Sequence, residues 1–127
     1  MVKRNFFLAA FGALILGCVL VVPTHGEVNT LNTNHLTFGG PVALPGVTLS
    51  AGTYIFEKVV ATNPDVVVVR SADRSRVLYL GSTMRANRPT SLRRDMLVTF
   101  GEAARGVPPP IAAWFPLGEA TGHAFVY

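Results

Sequence analysis

The chain has one cysteine, Cys18, and from residue 27 onward it has none. That part therefore holds no disulfide framework, thiolate metal site or cysteine nucleophile, and must be stabilised by an apolar core. Other signatures are missing too. There is no Asn-x-Ser/Thr sequon, no Gly-x-Ser-x-Gly elbow, and no His-x-x-x-His or Glu-x-x-His spacing. Lysine occurs only as Lys3 and Lys58, and charged residues make up 14% of the chain. Beyond the N-terminal segment no stretch shows a helical period, which excludes bundles and α/β folds. Hydrophobic residues are plentiful, at 50%, so a core is available.

The first 26 residues differ from the rest. Lys3 and Arg4 precede Phe6–Val22, an apolar run without a charge, and Pro23-Thr24-His25-Gly26 breaks it with small residues at 24 and 26. A cleaved secretory signal over residues 1–26 is the expected reading; a retained N-terminal anchor is the alternative. Ile15-Leu16-Gly17-Cys18 also resembles a bacterial lipobox, in which Cys18 would be acylated and cleavage would fall before it. The apolar Val19–Val22 that follows favours Cys18 as part of the hydrophobic segment, with cleavage after Gly26. The expected location is periplasmic or extracellular, with membrane attachment only through an uncleaved signal or a lipid on Cys18.

Losing Lys3 and Arg4 reduces the basic residues from 11 to 9 against 7 acidic ones. The balance of +2 points to no polyanion in particular, and nucleic acid is not an expected partner: basic and aromatic residues do not alternate.

Residues 27–35 are polar and Asn/Thr-rich and read as a flexible mature N-terminus, with the folded domain over 36–127. Within it, Leu36–Phe38, Val42–Leu44, Val47–Leu49, Thr53–Val60, Val66–Val69, Val77–Met84, Met96–Phe100, Ile111–Phe115 and His123–Tyr127 carry strand character. Pro45-Gly46, Ser50–Thr53, Asn63–Asp65, Ser71–Ser75 and Arg85–Asp95 read as turns or loops, and Pro108–Pro110 as extended chain. Ser50-Ala51-Gly52-Thr53 predicts a type II turn with Gly52 at positive φ; Gly46 is the other structural turn glycine. Tyr54, Phe56 and the stem of Lys58 share one strand face, Ile55 and Glu57 the other. The uninterrupted Val66–Val69 predicts a strand covered on both faces. Seven or eight short strands, with turn signals roughly every 8 to 12 residues, predict a single small antiparallel β-sandwich, or a barrel-like relative.

Leu49-Ser50-Ala51-Gly52-Thr53-Tyr54-Ile55-Phe56 resembles the Leu-Pro-Ala-Gly-Thr-Tyr turn and strand of prealbumin-like modules, such as Cna B-type and carboxypeptidase regulatory-like domains, with Ser50 at the usual proline. A longer set is similar to small secreted acidobacterial-type proteins of unknown function. It comprises Leu36–Phe38, Pro41–Gly46, Ala51–Tyr54, Val98–Phe100, Ala113–Phe115, Gly118, Gly122 and Phe125–Tyr127. The resemblance implies the sandwich architecture and bacterial export, and no activity. The isopeptide bond of some such modules would need Lys58 and a late asparagine, yet no asparagine follows Asn87.

Candidate chemistry is sparse. His35 and His123 with Glu119 would make a metal site only if the fold brought them together. Ser71, Ser75, Ser82 or Ser91 with a histidine and Asp65, Asp73 or Asp95 would make a triad only by geometry. Glu57, Glu102 and Glu119 are the carboxylates available for glycoside hydrolysis. Arg85, Arg88, Arg93 and Arg94 are the candidate anion-binding set, suited to an acidic glycan or another anionic envelope component, with Arg70, Arg74 and Arg76 at the other hairpin. Trp114 and Tyr127 are the aromatics to consider for carbohydrate stacking. The expected function is an exported, non-enzymatic binding or structural module without cofactor. The alternatives are anion binding through residues 85–94, and a small hydrolase or metal-dependent enzyme.

Overall fold

The computed structural model describes residues 21–23, 33–60 and 63–127. Lys3, Arg4, Cys18 and the cleavage position expected after Gly26 lie outside the described residues. Of the segment expected as a signal, Val21–Pro23 is described; it forms β1, antiparallel to β2 (Thr33–Phe38). Thr33, Asn34 and His35, expected as the end of a flexible segment, instead pair with Glu57, Phe56 and Ile55; the rest of that segment lies outside the described residues.

The remaining strands are β3 (Val42–Leu44), β4 (Val47–Leu49), β5 (Gly52–Val60), β6 (Asn63–Ser71), β7 (Val77–Ser82), β8 (Met84–Asn87), β9 (Val98–Phe100), β10 (Ile111–Trp114) and β11 (Thr121–Ala124). They make a five-stranded sheet ordered β1-β2-β5-β6-β7, a four-stranded sheet ordered β9-β10-β11-β8, and the β3-β4 ribbon. Every strand pair is antiparallel. The architecture is the small all-β sandwich that the turn spacing predicts. No helix among the described residues is long and apolar enough to cross a membrane.

The core lies between the two larger sheets. Alternation in β5 sends Tyr54 and Phe56 into it, while β6 contributes Val67 and Val69. Val68 and Ile55 are buried but stand outside this cluster, as a strand covered on both faces requires. Aromatic contacts join the layers: Phe56 meets Trp114 at 5.9 Å between ring centroids, Phe38 meets Phe100 at 6.3 Å, and Tyr79 meets Phe125 edge-on at 5.6 Å. Trp114 is fully buried. Burying a ring of this size stabilises the sandwich by roughly 1.5–3 kcal/mol.

The turn chemistry is distributed differently from the expectation. Gly46 follows Pro45 with φ 76°, the order and sign of a type II turn, and closes β3 onto β4 with Leu44 opposite Val47. Gly52 instead opens β5 at φ 152°, outside the φ near +80° of a type II turn, though still in a region that favours glycine. Asn63–Asp65, expected as a turn, is the start of β6. A register shift between Lys58 and Val60 accommodates Pro64, which has no N–H to give the ladder.

The strand expected over Val77–Met84 is two strands. The chain leaves the large sheet at Ser82 and enters the small one at Met84, with Thr83 as the corner. Thr83 N donates to Asp65 O at 2.8 Å and its hydroxyl donates to the same oxygen at 2.7 Å. Arg85 accordingly lies on a strand and not in a loop. β11 starts two residues earlier than expected, and Phe125–Tyr127 lies beyond it.

Candidate functional site

Beside the Thr83 corner, where the chain passes from one sheet to the other, lies a cavity of about 210 Å³ lined by Lys58, Pro64, Arg85, Glu119, Thr121, Gly122 and His123. Gly122 and His123 are buried, Lys58 and Glu119 are partly buried, and Pro64, Arg85 and Thr121 are exposed.

Strand register builds the cavity. Trp114 pairs with His123, and His123 pairs with Arg85, so one cross-strand row runs from the core through the histidine to the edge strand β8. The imidazole stacks on Trp114 with ring centroids 5.4 Å apart and planes at 23°. Gly122 lets β11 pass this close: a Cβ there would stand 2.6 Å from Phe115 Cδ1 and would also meet Trp114 O. Asn34 braces the loop after Trp114. Its buried Oδ1 accepts from Trp114 Nε1 at 3.0 Å and from Leu117 N at 3.1 Å, tying down the loop that carries Glu119.

Hydrogen bonding sets the histidine's protonation pattern. His123 Nδ1 lies 3.0 Å from Thr83 Oγ1, whose only proton is directed to Asp65 O. The network is satisfied together only if Nδ1–H donates to the threonine, leaving Nε2 as an acceptor. Nε2 has no partner among the described residues and is not sealed from solvent. Burial, the largest cause, holds the imidazole pKa below its ordinary value; the charges of Lys58 and Arg85 push the same way, and those of Glu119 and Asp65 push against it. The ring is therefore neutral at pH 7.

Two ion pairs complete the walls. Lys58 Nζ binds Glu119 Oε2 at 2.9 Å, and Arg85 Nη2 lies 3.5 Å from Asp65 Oδ1. Neither exhausts its partners: the ammonium retains donors, Arg85 retains most of its N–H groups, and Glu119 Oε1 accepts from no described residue.

The four arginines of the sequence reading do not converge. Arg85 alone lines the cavity. Arg88 turns inward, donating to Met96 O at 2.7 Å and to Arg93 O, with its guanidinium 5.9 Å above the Phe115 ring. Arg93 forms a fork with Asp95, at 3.1 and 2.6 Å, which raises the arginine pKa and lowers the carboxylate's. Arg94 is exposed. Of the second group, Arg70 and Arg74 hold Glu57 at 2.8 and 3.3 Å.

The other candidates separate similarly. His35 pairs with Ile55 in the large sheet, away from the cavity where His123 and Glu119 meet. No group of three His, Cys, Asp or Glu among the described residues is placed to hold a metal ion. Ser71 and Ser75 both donate to Asp73 at 2.7 Å, and this lowers the carboxyl pKa to about 2. Trp114 is enclosed; Tyr127 is exposed, but its hydroxyl donates back to Ile111 O at 2.6 Å. Sequence reasoning missed Thr83 and Asn34. The run of small residues Gly81-Ser82-Thr83 inside an apolar strand was the one signal of a corner. Comparison with family models, with curated proteins and with solved structures returned no match.

Proposed function

We propose that this chain is an exported, non-enzymatic β-sandwich binding module, of the prealbumin-like kind that Leu49–Phe56 resembles, with its ligand site in the Lys58–Arg85–Glu119–His123 cavity. The observation that carries this reading is that Thr83 Oγ1 lies 2.7 Å from Asp65 O and 3.0 Å from His123 Nδ1, from which the direction of the Thr83–His123 hydrogen bond follows. In a Ser/Thr hydrolase the hydroxyl gives its proton to the base. Here the hydroxyl accepts from Nδ1–H and its own proton goes to Asp65 O, so Thr83 orients the ring and does not attack a substrate. What the histidine presents is a fixed acceptor beside two ion pairs with bonding capacity left over, which suits recognition.

The rival site, the arginines at 85–94, has less support, because Arg88 and Arg93 are engaged within their own loop. Export is tested by fractionating the native host and weighing the mature N-terminus, which separates free, Cys18-lipidated and anchored forms. Binding is tested by calorimetric titration with the host's soluble envelope polysaccharide. The expected result is saturable binding, weakened by His123→Asn, with the polysaccharide recovered at unchanged length. Shortened chains, or no heat of binding, overturn the reading.

A further inference from the structure

We infer that the cavity takes one hydroxy-carboxylate unit of uronic-acid type, its carboxylate on Lys58 and Arg85 and its hydroxyls on His123 Nε2 and Glu119 Oε1. This rests on the cavity being the binding site.

The donor and acceptor pattern selects the ligand. Lys58 and Arg85 offer charged N–H donors, which suit a carboxylate. His123 Nε2 and Glu119 Oε1 are acceptors and need a ligand that donates. A fully ionised phosphate or sulfate would satisfy the cations but would set lone pairs against the imidazole nitrogen and the carboxylate. A neutral sugar would satisfy the acceptors but would offer the remaining charged N–H donors of Lys58 and Arg85 only uncharged oxygens, the weaker kind of hydrogen bond. A sugar carboxylate answers both, with donors and acceptors on one small frame. Asp65 and Glu119 already balance Arg85 and Lys58, so the cavity favours a ligand of low charge over a polyanion. Size sets an upper bound: about 210 Å³ lies below the roughly 300–1,000 Å³ of drug-sized ligand sites, so the cavity takes one small unit and not an oligomer. Pro64 and Thr121 at the exposed rim leave room for such a unit to be part of a longer chain.

The test is an NMR titration of the ¹⁵N-labelled protein with D-glucuronate, D-glucose, L-lactate and inorganic phosphate, following the His123 imidazole and the Lys58 ammonium. Glucuronate is expected to shift both signals and to bind about tenfold or more tightly than each other probe. Arg85→Gln and Lys58→Met should each weaken it by about tenfold. Arg94→Ser should leave it unchanged. Thermal midpoints of all variants separate lost binding from lost folding. Phosphate or glucose binding as tightly as glucuronate overturns the hydroxy-carboxylate assignment and leaves the binding module standing, and equal binding of lactate overturns the sugar part. If no probe moves the His123 signal, both readings fall.

Discussion

Glu57 and Lys58 are neighbours in β5 and project from opposite faces of one sheet, into two charged clusters of different character. On the Glu57 side Thr33, Arg70 and Arg74 all donate to one carboxylate, at 3.0, 2.8 and 3.3 Å. Burial alone would raise its pKa, but these hydrogen bonds and the two arginine charges lower it. On the Lys58 side each charge has one partner, a cavity lies between them, and the nearest base keeps a free lone pair. The first cluster is closed and the second is open. Counts of charge in the sequence are similar for both, so remaining hydrogen-bonding capacity, and not charge density, separates a structural cluster from a binding site.

The largest test of this contrast concerns the floor of the open side. Gly122→Ala would place a Cβ against Trp114 O and Phe115, and backbone atoms cannot swing away. Stability should fall by about 3 kcal/mol, at the upper end of overpacking costs, measured by urea unfolding. Gly81→Ala is the comparison, because its Cβ meets the ring and hydroxyl of Tyr79, a side chain that can rotate. It should cost about 1 kcal/mol, the lower end of overpacking costs, as the ring shifts against its edge-on partner Phe125. Equal losses would mean that β11 has room to move, and that the close approach to Trp114 is not what places His123.

Thr83→Val tests the link between fold and site. It keeps the shape of the corner and removes the hydroxyl that donates to Asp65 O and accepts from His123. The buried Nδ1–H loses its partner, so about 2 kcal/mol of stability should go. Imidazole ¹⁵N shifts should show Nδ1–H dominant in the native protein and a mixture in the variant. An unchanged tautomer would show that another group orients the ring.

These residues show how far the sequence could be read. The sandwich was legible because alternation in Thr53–Val60 and the apolar run Val66–Val69 are local signals, and each strand reports which face is buried. Lys58 on the face of Phe56 was legible for the same reason. The cavity was not, because it depends on the strand order β10-β11-β8 and on a change of sheet at Thr83, neither of which has a local signature. Asn34 was misplaced because Asn/Thr-rich sequence is common in mobile chain ends, whereas here the amide is buried by its bonds to Trp114 and Leu117. The arginines misled for the converse reason: clustering along the sequence says nothing about partners, and Arg88 finds carbonyl groups of its own loop.

Glu57→Gln and Lys58→Met compare the two faces directly. The first removes the charge that two arginines share and should cost about 1–2 kcal/mol, reduced by the partial exposure of those arginines. The second breaks one partly exposed pair and should change stability by less than about 1 kcal/mol. A larger loss for Lys58→Met would mark the Lys58–Glu119 pair as a structural tie and weaken the case for an open site.

The smallest effect is the pH dependence, and it resolves the two clusters in one titration. His123 has a folded pKa below its unfolded value near 6.5, so between those values the unfolded chain binds the extra proton. Its contribution is complete above about pH 6.5 and is lost as the pH falls through the folded pKa. Glu57 also has a lowered pKa, from an ordinary value of 4.5, so its contribution is complete above that value and disappears only in stronger acid. Stability measured from pH 8 to pH 3 should therefore decline in two stages. His123→Asn should remove the upper stage and Glu57→Gln should reduce the lower one. If His123→Asn leaves the upper stage intact, the ring is not held neutral by its setting at the cavity floor, and the open cluster loses the fixed acceptor that distinguishes it from the closed one.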